Sequence, residues 1–193
     1  MARSNIILTG FMGTGKSTVG KLLAEQLDYE FVDTDELIQS RTGQTIPEIF
    51  REQGEAAFRG MEAAVARELG EKEGMVIATG GRMMLDAANA EALCRRGQVF
   101  CLVATPEEIL QRVSADACFE RPLLESPNPM ERIVELMQER KAGYGRFTQL
   151  ITSGKSPAEV AGELLKIFHG NADDAVKTAD SSPLVERDQG AGG

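Results

Sequence analysis

Apolar positions come in short, bounded runs. Asn5 to Thr9 (N-I-I-L-T) is closed by Gly10, and a run of that length ended by a turn residue predicts a buried strand. Lys16 to Leu27 then carries Val19, Leu22, Leu23 and Leu27 on one helical stripe. Glu30 to Asp33 (E-F-V-D) predicts a second strand. Thr45-Ile-Pro-Glu48 is a capping box with Pro in the first turn, opening a helix that stops near Gly54, and Ala56 to Leu69 predicts another helix. Met75 to Ala78 (M-V-I-A) is a strand stopped by Gly80 and Gly81. Ala87 to Arg95 is helical with Asp86 as N-cap, and Val99 to Val103 is a strand. Thr105-Pro-Glu-Glu108 opens a helix, a polar loop covers 115–129, a long helix runs from Met130 to about Gly143, and Ser156-Pro-Ala-Glu159 opens the last helix. Strands alternating with helices predict the α/β class, with a parallel sheet between two helical layers.

There is no internal repeat. From Asn171 the chain is rich in Asp, Ser, Gly and Ala and has no apolar stripe, so 171–193 reads as a disordered tail on a single domain, 1–170.

Charge and composition narrow the function. The net charge of −9 opposes nucleic-acid binding, so no nucleic-acid partner is expected. No apolar run approaches membrane-spanning length, and the N-terminus enters a strand at once, which leaves no room for a signal peptide. The three cysteines, Cys94, Cys101 and Cys118, form no Cys-x-x-Cys pair, which points away from disulfides and zinc and toward the cytoplasm. A single histidine, His169, nearly excludes His-based triads and His-rich metal sites. A monomer is expected.

The strongest chemical signal follows the first strand. Gly10-Phe-Met-Gly13-Thr-Gly15-Lys16-Ser17 fits the P-loop pattern G-x-x-x-x-G-K-[ST] in its strand–turn–helix setting. Gly13 and Gly15 let backbone N–H groups turn toward phosphate oxygens, and the helix directs its positive end at the same anion. Lys16 reaches the β- and γ-phosphates of a nucleotide in such loops, and the Ser17 hydroxyl coordinates Mg²⁺.

Other candidates carry two readings each. Asp33-Thr-Asp35 ends the second strand, and in extended chain both carboxylates face one site. Asp33 could hold Mg²⁺ and Asp35 could accept the proton of an attacking hydroxyl, or either could cap the next helix. Arg59 and Glu62 share a helix face, as a site pair or a surface ion pair. Thr79-Gly80-Gly81 permits close backbone approach to a ligand or makes a plain turn. Arg121 lies in the long polar loop, which has the length of a lid, and an arginine there can neutralise charge on the transferred phosphoryl group; Arg140 lies near the end of the long helix, and either arginine could instead stand solvated.

Together, Gly10–Ser17, Asp33/Asp35, Phe58-Arg59-Gly-Met-Glu62, Thr79-Gly80-Gly81, Arg121-Pro-Leu-Leu124 and Arg140 resemble the shikimate kinases in order and approximate spacing, over about residues 4–168. The resemblance implies a P-loop kinase fold of three layers (α/β/α) with a five-stranded parallel sheet, a helical substrate-binding region and a lid. It implies ATP and Mg²⁺ as cofactors and transfer of the γ-phosphoryl group to the shikimate 3-hydroxyl.

Lys16, Asp35 and Arg121 would then be catalytic. Gly13, Thr14, Gly15, Lys16, Ser17 and Thr18 would hold the nucleotide with Arg121, while Arg112 and Pro157 flank the adenine. Asp35, Arg59, Gly80, Gly81 and Arg140 would bind shikimate, with Glu62 orienting Arg59. Ser17 and Asp33 would serve the metal.

Three features depart from that family. Arg82 stands where a third glycine is usual, Arg140-Lys-Ala-Gly-Tyr144 replaces Arg-x-Pro-Leu-Tyr, and the segment before Arg121 is longer by two residues. Two alternatives therefore stand: a kinase of another small hydroxy acid such as gluconate, or a nucleotide-binding regulatory module without catalysis.

Overall fold

The computed structural model describes residues 3–115 and 127–179. The first apolar run becomes β1 (Asn5–Gly10), buried along its whole length. It is the centre of a five-stranded sheet with β2 (Glu30–Asp33), β3 (Met75–Ala78), β4 (Gly97–Val103) and β5 (Thr148–Ile151), in the order β2-β3-β1-β4-β5. Every pairing is parallel, with Ile7 beside both Ile77 and Val99. Inner strands of a parallel sheet are covered on both faces, which is why β1 and β3 read as continuous apolar runs.

On one face lie α1 (Lys16–Leu27) and α7 (Pro157–Ala179), where Val19, Leu23, Val160 and Leu164 meet Leu8, Val76 and Phe100. The other face is covered by α3 (Ile46–Gly70) and α4 (Ala87–Cys94), with Ile49, Phe58, Leu69 and Leu93 on Ile7 and Ile77. A third cluster, Phe11, Ile109, Ile133 and Leu136, joins α5 (Pro106–Ala115) and α6 (Pro129–Tyr144) to the turn after β1. The remaining elements are α2 (Thr34–Thr42) and a single 3₁₀ turn, Met83–Leu85.

Most local expectations hold. Gly54 is non-helical (φ 83°, ψ 168°) and divides α3 into the two predicted helices. Thr45 and Glu48 form a complete capping box, and so do Ser156 and Glu159. The Thr105 hydroxyl accepts from the Glu108 N–H at 3.3 Å, but the Glu108 carboxylate turns away to Arg112 and the Gly154 N–H.

Three features differ from the expectation. Helix α2 begins directly after Asp33, and strand β5 was not predicted; its T-Q-L-I sequence buries only Leu150. Helix α7 continues past Gly170 to Ala179, so its end does not coincide with the predicted start of the tail at 171. That stretch, N-A-D-D-A-V-K-T-A, has neither Pro nor Gly to stop an established helix. No helix among the described residues is long and apolar enough to cross a membrane.

Candidate active site

Ligands of open parallel sheets bind beyond the carboxyl ends of the strands, and the turn after β1 opens there. Gly13 and Gly15 have φ of 73° and 91°, backbone that a side chain strains, and Gly15 is the N-cap of α1 without any side-chain cap. The first N–H groups of α1 thus face the crevice, as an anion site requires. Lys16 Nζ curls over the turn and donates to the carbonyls of Gly10 and Phe11 at 3.0 and 2.9 Å. The Thr14 hydroxyl is buried and donates to the Phe11 carbonyl at 2.8 Å, which leaves its N–H for a phosphate; Thr18 is exposed on the first turn of α1.

Asp33 caps the next helix and also reaches the phosphate loop. Its Oδ1 caps α2 by accepting from the N–H groups of Asp35 and Glu36 at 3.0 and 3.4 Å, while its Oδ2 accepts from the Ser17 hydroxyl at 2.7 Å. Two hard oxygen donors side by side at the mouth of the phosphate loop suit Mg²⁺, which is held by few protein oxygens together with substrate phosphates. Among the described residues no group of three or more His, Cys, Asp or Glu side chains could hold a metal alone.

Asp35 requires a correction. It lies in the first turn of α2 and not in extended chain, so its approach to the site comes from the helix start. Its Oδ1 is buried without a hydrogen-bond partner. Burial pushes its pKa from 3.8 up to about 7, Asp33 and Glu62 add to the rise, and Lys16 and Arg59 oppose it. The carboxylate therefore feels the phosphate loop and the α3 arginine together.

The acceptor side assembles around Gly80. A Cβ there would lie 2.5 Å from Asp35 Oδ1 and 3.1 Å from Glu62 Oε1, so this position has no room for a side chain. Its N–H donates to the buried Thr34 hydroxyl at 2.9 Å. Glu62 is buried, which raises its pKa against the pull of Arg59, and it accepts from Arg59 Nη1 at 2.6 Å. Arg59 also donates to Glu55 and lies over the rings of Phe58 and Phe50 at 5.3 and 5.9 Å.

Next to Gly81, whose added Cβ would be 3.6 Å from Arg140 Nη1, stands the second arginine. Arg140 is 3% exposed, its Nε has no partner, and no carboxylate among the described residues pairs with it. Its guanidinium sits 5.2 Å from the ring centre of Phe11. A buried cation without a counter-charge is costly unless an anion arrives.

On the nucleotide side, Arg112 donates to the Gly13 carbonyl at 3.2 Å and to Glu108 at 2.9 Å. Glu108 also accepts from the Gly154 N–H, which brings the loop before Pro157 beside Arg112. Arg121 and the core of the expected lid, 116–126, lie outside the described residues. Sequence reasoning gave Glu108 only a capping role and assigned no site role to Thr34, Phe11 or Tyr144, whose hydroxyl donates to the Gly81 carbonyl. Each had a local signal: Thr34 stands between the two aspartates, Phe11 inside the phosphate loop, and Tyr144 four residues after Arg140.

A phosphate cradle at the end of the central parallel strand, facing a carboxyl group of raised pKa and a buried arginine, defines a P-loop phosphotransferase that acts on a small anionic acceptor. The family profile that matches, over residues 12–169, is that of shikimate kinase. The chain is 44% identical over 165 residues to the shikimate kinase of Thermodesulfovibrio yellowstonii, covering 85% of this chain and 94% of that one. It is 47% identical over 161 residues to that of Geobacter sulfurreducens, covering 83% and 88%. The structure of Acinetobacter baumannii shikimate kinase in complex with shikimate superposes with a TM-score of 0.81 at 38% identity, covering 88% of this chain and 94% of that one. The chain belongs to the shikimate kinase family.

Proposed function

We infer that the chain transfers the γ-phosphoryl group of ATP to the 3-hydroxyl of shikimate, giving ADP and shikimate 3-phosphate. The observation that carries this reading is the placing of Asp35: one unpartnered, buried carboxylate oxygen lies against Gly80 beside the Glu62 that holds Arg59, and its backbone is tied through Asp33 to Ser17 of the phosphate loop.

The chemistry follows from that placing. Arg59 and Arg140 take the acceptor's carboxylate, and the close-packed Gly80–Gly81 backbone lets the ring settle against the turn. Asp35 receives the proton of the attacking hydroxyl as the new O–P bond forms and the bond to the ADP oxygen breaks. Lys16 and the N–H groups of the loop stabilise the charge spread over the phosphoryl oxygens, and most of the acceleration is positioning. Ser17 and Asp33 would hold Mg²⁺, which supplies neutralisation of the β- and γ-phosphate oxygens when bound. Arg112 and the segment at Pro157 flank the adenine; the role of Arg121 at the phosphates rests on the sequence resemblance alone.

The unpaired Cys94 and Cys101 agree with a cytoplasmic enzyme. Val134 and Ile151 are the large apolar side chains exposed among the described residues, too little surface for an obligate dimer, which favours a monomer.

Coupled ADP-release assays with shikimate, gluconate and no acceptor test the reading. Release that depends on shikimate supports it. A higher kcat/KM for gluconate, or release indifferent to any acceptor, overturns it.

A further inference from the structure

Thr45, Thr105 and Ser156 each begin the pattern of a capping box, and only two of the boxes close. Glu48 returns to the Thr45 N–H at 2.8 Å and Glu159 to the Ser156 N–H at 2.7 Å. At Thr105 the backbone N–H donates instead to the Ser153 hydroxyl at 2.9 Å. With that donor already served, the Glu108 carboxylate is free of the cap, and its two oxygens go to different segments. Oε2 accepts from Arg112 Nη2 one turn along α5, and Oε1 accepts from the Gly154 N–H, both at 2.9 Å. An ion pair this close to solvent contributes little by itself. The second oxygen makes it a tie between α5 and a loop 46 residues away.

The tie also fixes a plane. Arg112 Nη1 donates to the Gly13 carbonyl at 3.2 Å and to the Thr152 hydroxyl at 3.4 Å, while Nη2 is held by Glu108. Guanidinium donors lie in the plane of the group, so these bonds occupy its edge. What the half-buried side chain retains for a ligand is its flat face, the part that stacks on rings. At the other oxygen, Gly154 (φ 70°) leads into the Ser156 cap, which sets Pro157 in the first turn of α7. The arginine plane and the Pro157 segment thus depend on one carboxylate. The phosphate loop does not: α5 packs on it directly, since a Cβ on Gly13 would lie 3.1 Å from the Val113 side chain and 3.4 Å from the Ile109 carbonyl.

We propose that Glu108 is a positioning residue for the nucleotide base: it sets the Arg112 plane against the Pro157 segment, so that the site grips a flat base as well as a phosphate chain. This rests on the kinase reading above, in which those two residues flank the adenine.

Calorimetry on the full chain tests it, with ADP and inorganic tripolyphosphate as probes and with Glu108→Ala, Glu108→Gln, Arg112→Ala and the Glu108→Ala/Arg112→Ala double variant. Glu108→Ala should weaken ADP binding and raise the KM for ATP roughly 5- to 20-fold, while kcat, the KM for shikimate and the affinity for tripolyphosphate stay within about two-fold. Glu108→Gln keeps the volume but offers one acceptor oxygen to two donors, so it should still lose at least about three-fold in ADP affinity. Once Arg112→Ala has removed the plane, adding Glu108→Ala should cost less than about two-fold more. Unmoved ADP affinity in Glu108→Ala, parent affinity in Glu108→Gln, a parallel loss of tripolyphosphate binding, or a full second loss in the double variant overturns the inference. Absence of shikimate-dependent ADP release in the unaltered chain overturns the kinase reading, and the ADP comparison, which needs no turnover, still decides the role of Glu108.

Discussion

Arg140 and Phe11 bind the two halves of the crevice together: the guanidinium lies 5.2 Å from the centre of a ring that belongs to the phosphate loop. The carbonyl of the same Phe11 accepts from Lys16 Nζ. The cation facing the acceptor and the cation facing the phosphates are thus held by one residue, Phe11.

Replacing Arg140 separates stability from function. Arg140→Met keeps the length of the side chain and removes a buried charge that has no carboxylate partner among the described residues. The KM for shikimate should rise at least about ten-fold, while the unliganded protein gains on the order of 1 kcal/mol or more in urea unfolding. A variant that loses both stability and acceptor binding would show that Arg140 serves the fold.

Asp35→Asn should lower kcat by about 10²- to 10⁴-fold with nucleotide affinity preserved. In the parent chain kcat/KM for the acceptor should rise with pH along a limb centred near 7, the value to which burial pushes this carboxyl, and the variant should lack that limb. The sign for stability is opposite. A carboxyl whose folded pKa is raised holds its proton longer in the folded state, so its contribution is complete below 3.8 and is lost as pH rises through 7. Asn cannot ionise, so Asp35→Asn should be the more stable form at pH 8, and its advantage should shrink toward pH 4. Thermal melts across that range give the answer.

Gly80→Ala puts a methyl group 2.5 Å from Asp35 Oδ1 and 3.1 Å from Glu62 Oε1. Overpacking of this kind costs about 1–3 kcal/mol, and here it displaces both carboxylates. Turnover should fall by more than about ten-fold even at temperatures where circular dichroism shows a folded chain. Near-normal turnover would mean that the turn yields and Asp35 is not held in place by it.

Ser17→Ala removes the hydroxyl that bonds Asp33 Oδ2. The Mg²⁺ concentration giving half-maximal activity should rise several-fold, about ten-fold at most, while Lys16→Met should abolish turnover at every Mg²⁺ concentration. An unchanged Mg²⁺ requirement in Ser17→Ala would remove Ser17 from the metal's surroundings.

The parts of the site that were legible in the sequence are those written in neighbouring residues. The phosphate loop is one contiguous motif, and the capping boxes at Thr45 and Ser156 are satisfied within a span of three residues. Helix α2 was missed because it buries little beyond Thr34 and Ile38, so its stripe is faint. Strand β5 is an edge of four residues with one of them buried, too short for an alternation to register. The contacts that make the crevice join distant positions. Thr34 and Gly80 are 46 residues apart, and no period or propensity encodes that hydrogen bond. Arg140 over Phe11 is equally silent in the sequence, since it depends on how α6 crosses the end of the sheet.

Asp33 has the widest consequence. One of its oxygens is tied to α1 through Ser17 and the other to the opening amides of α2, next to Asp35. A carboxyl group is a flat, stiff plate: drawing one corner toward a newly arrived cation tilts the other. The start of α1 under the nucleotide and the first turn of α2 that carries Asp35 are therefore fastened to the two corners of a single plate, and the two halves of the crevice share one anchor.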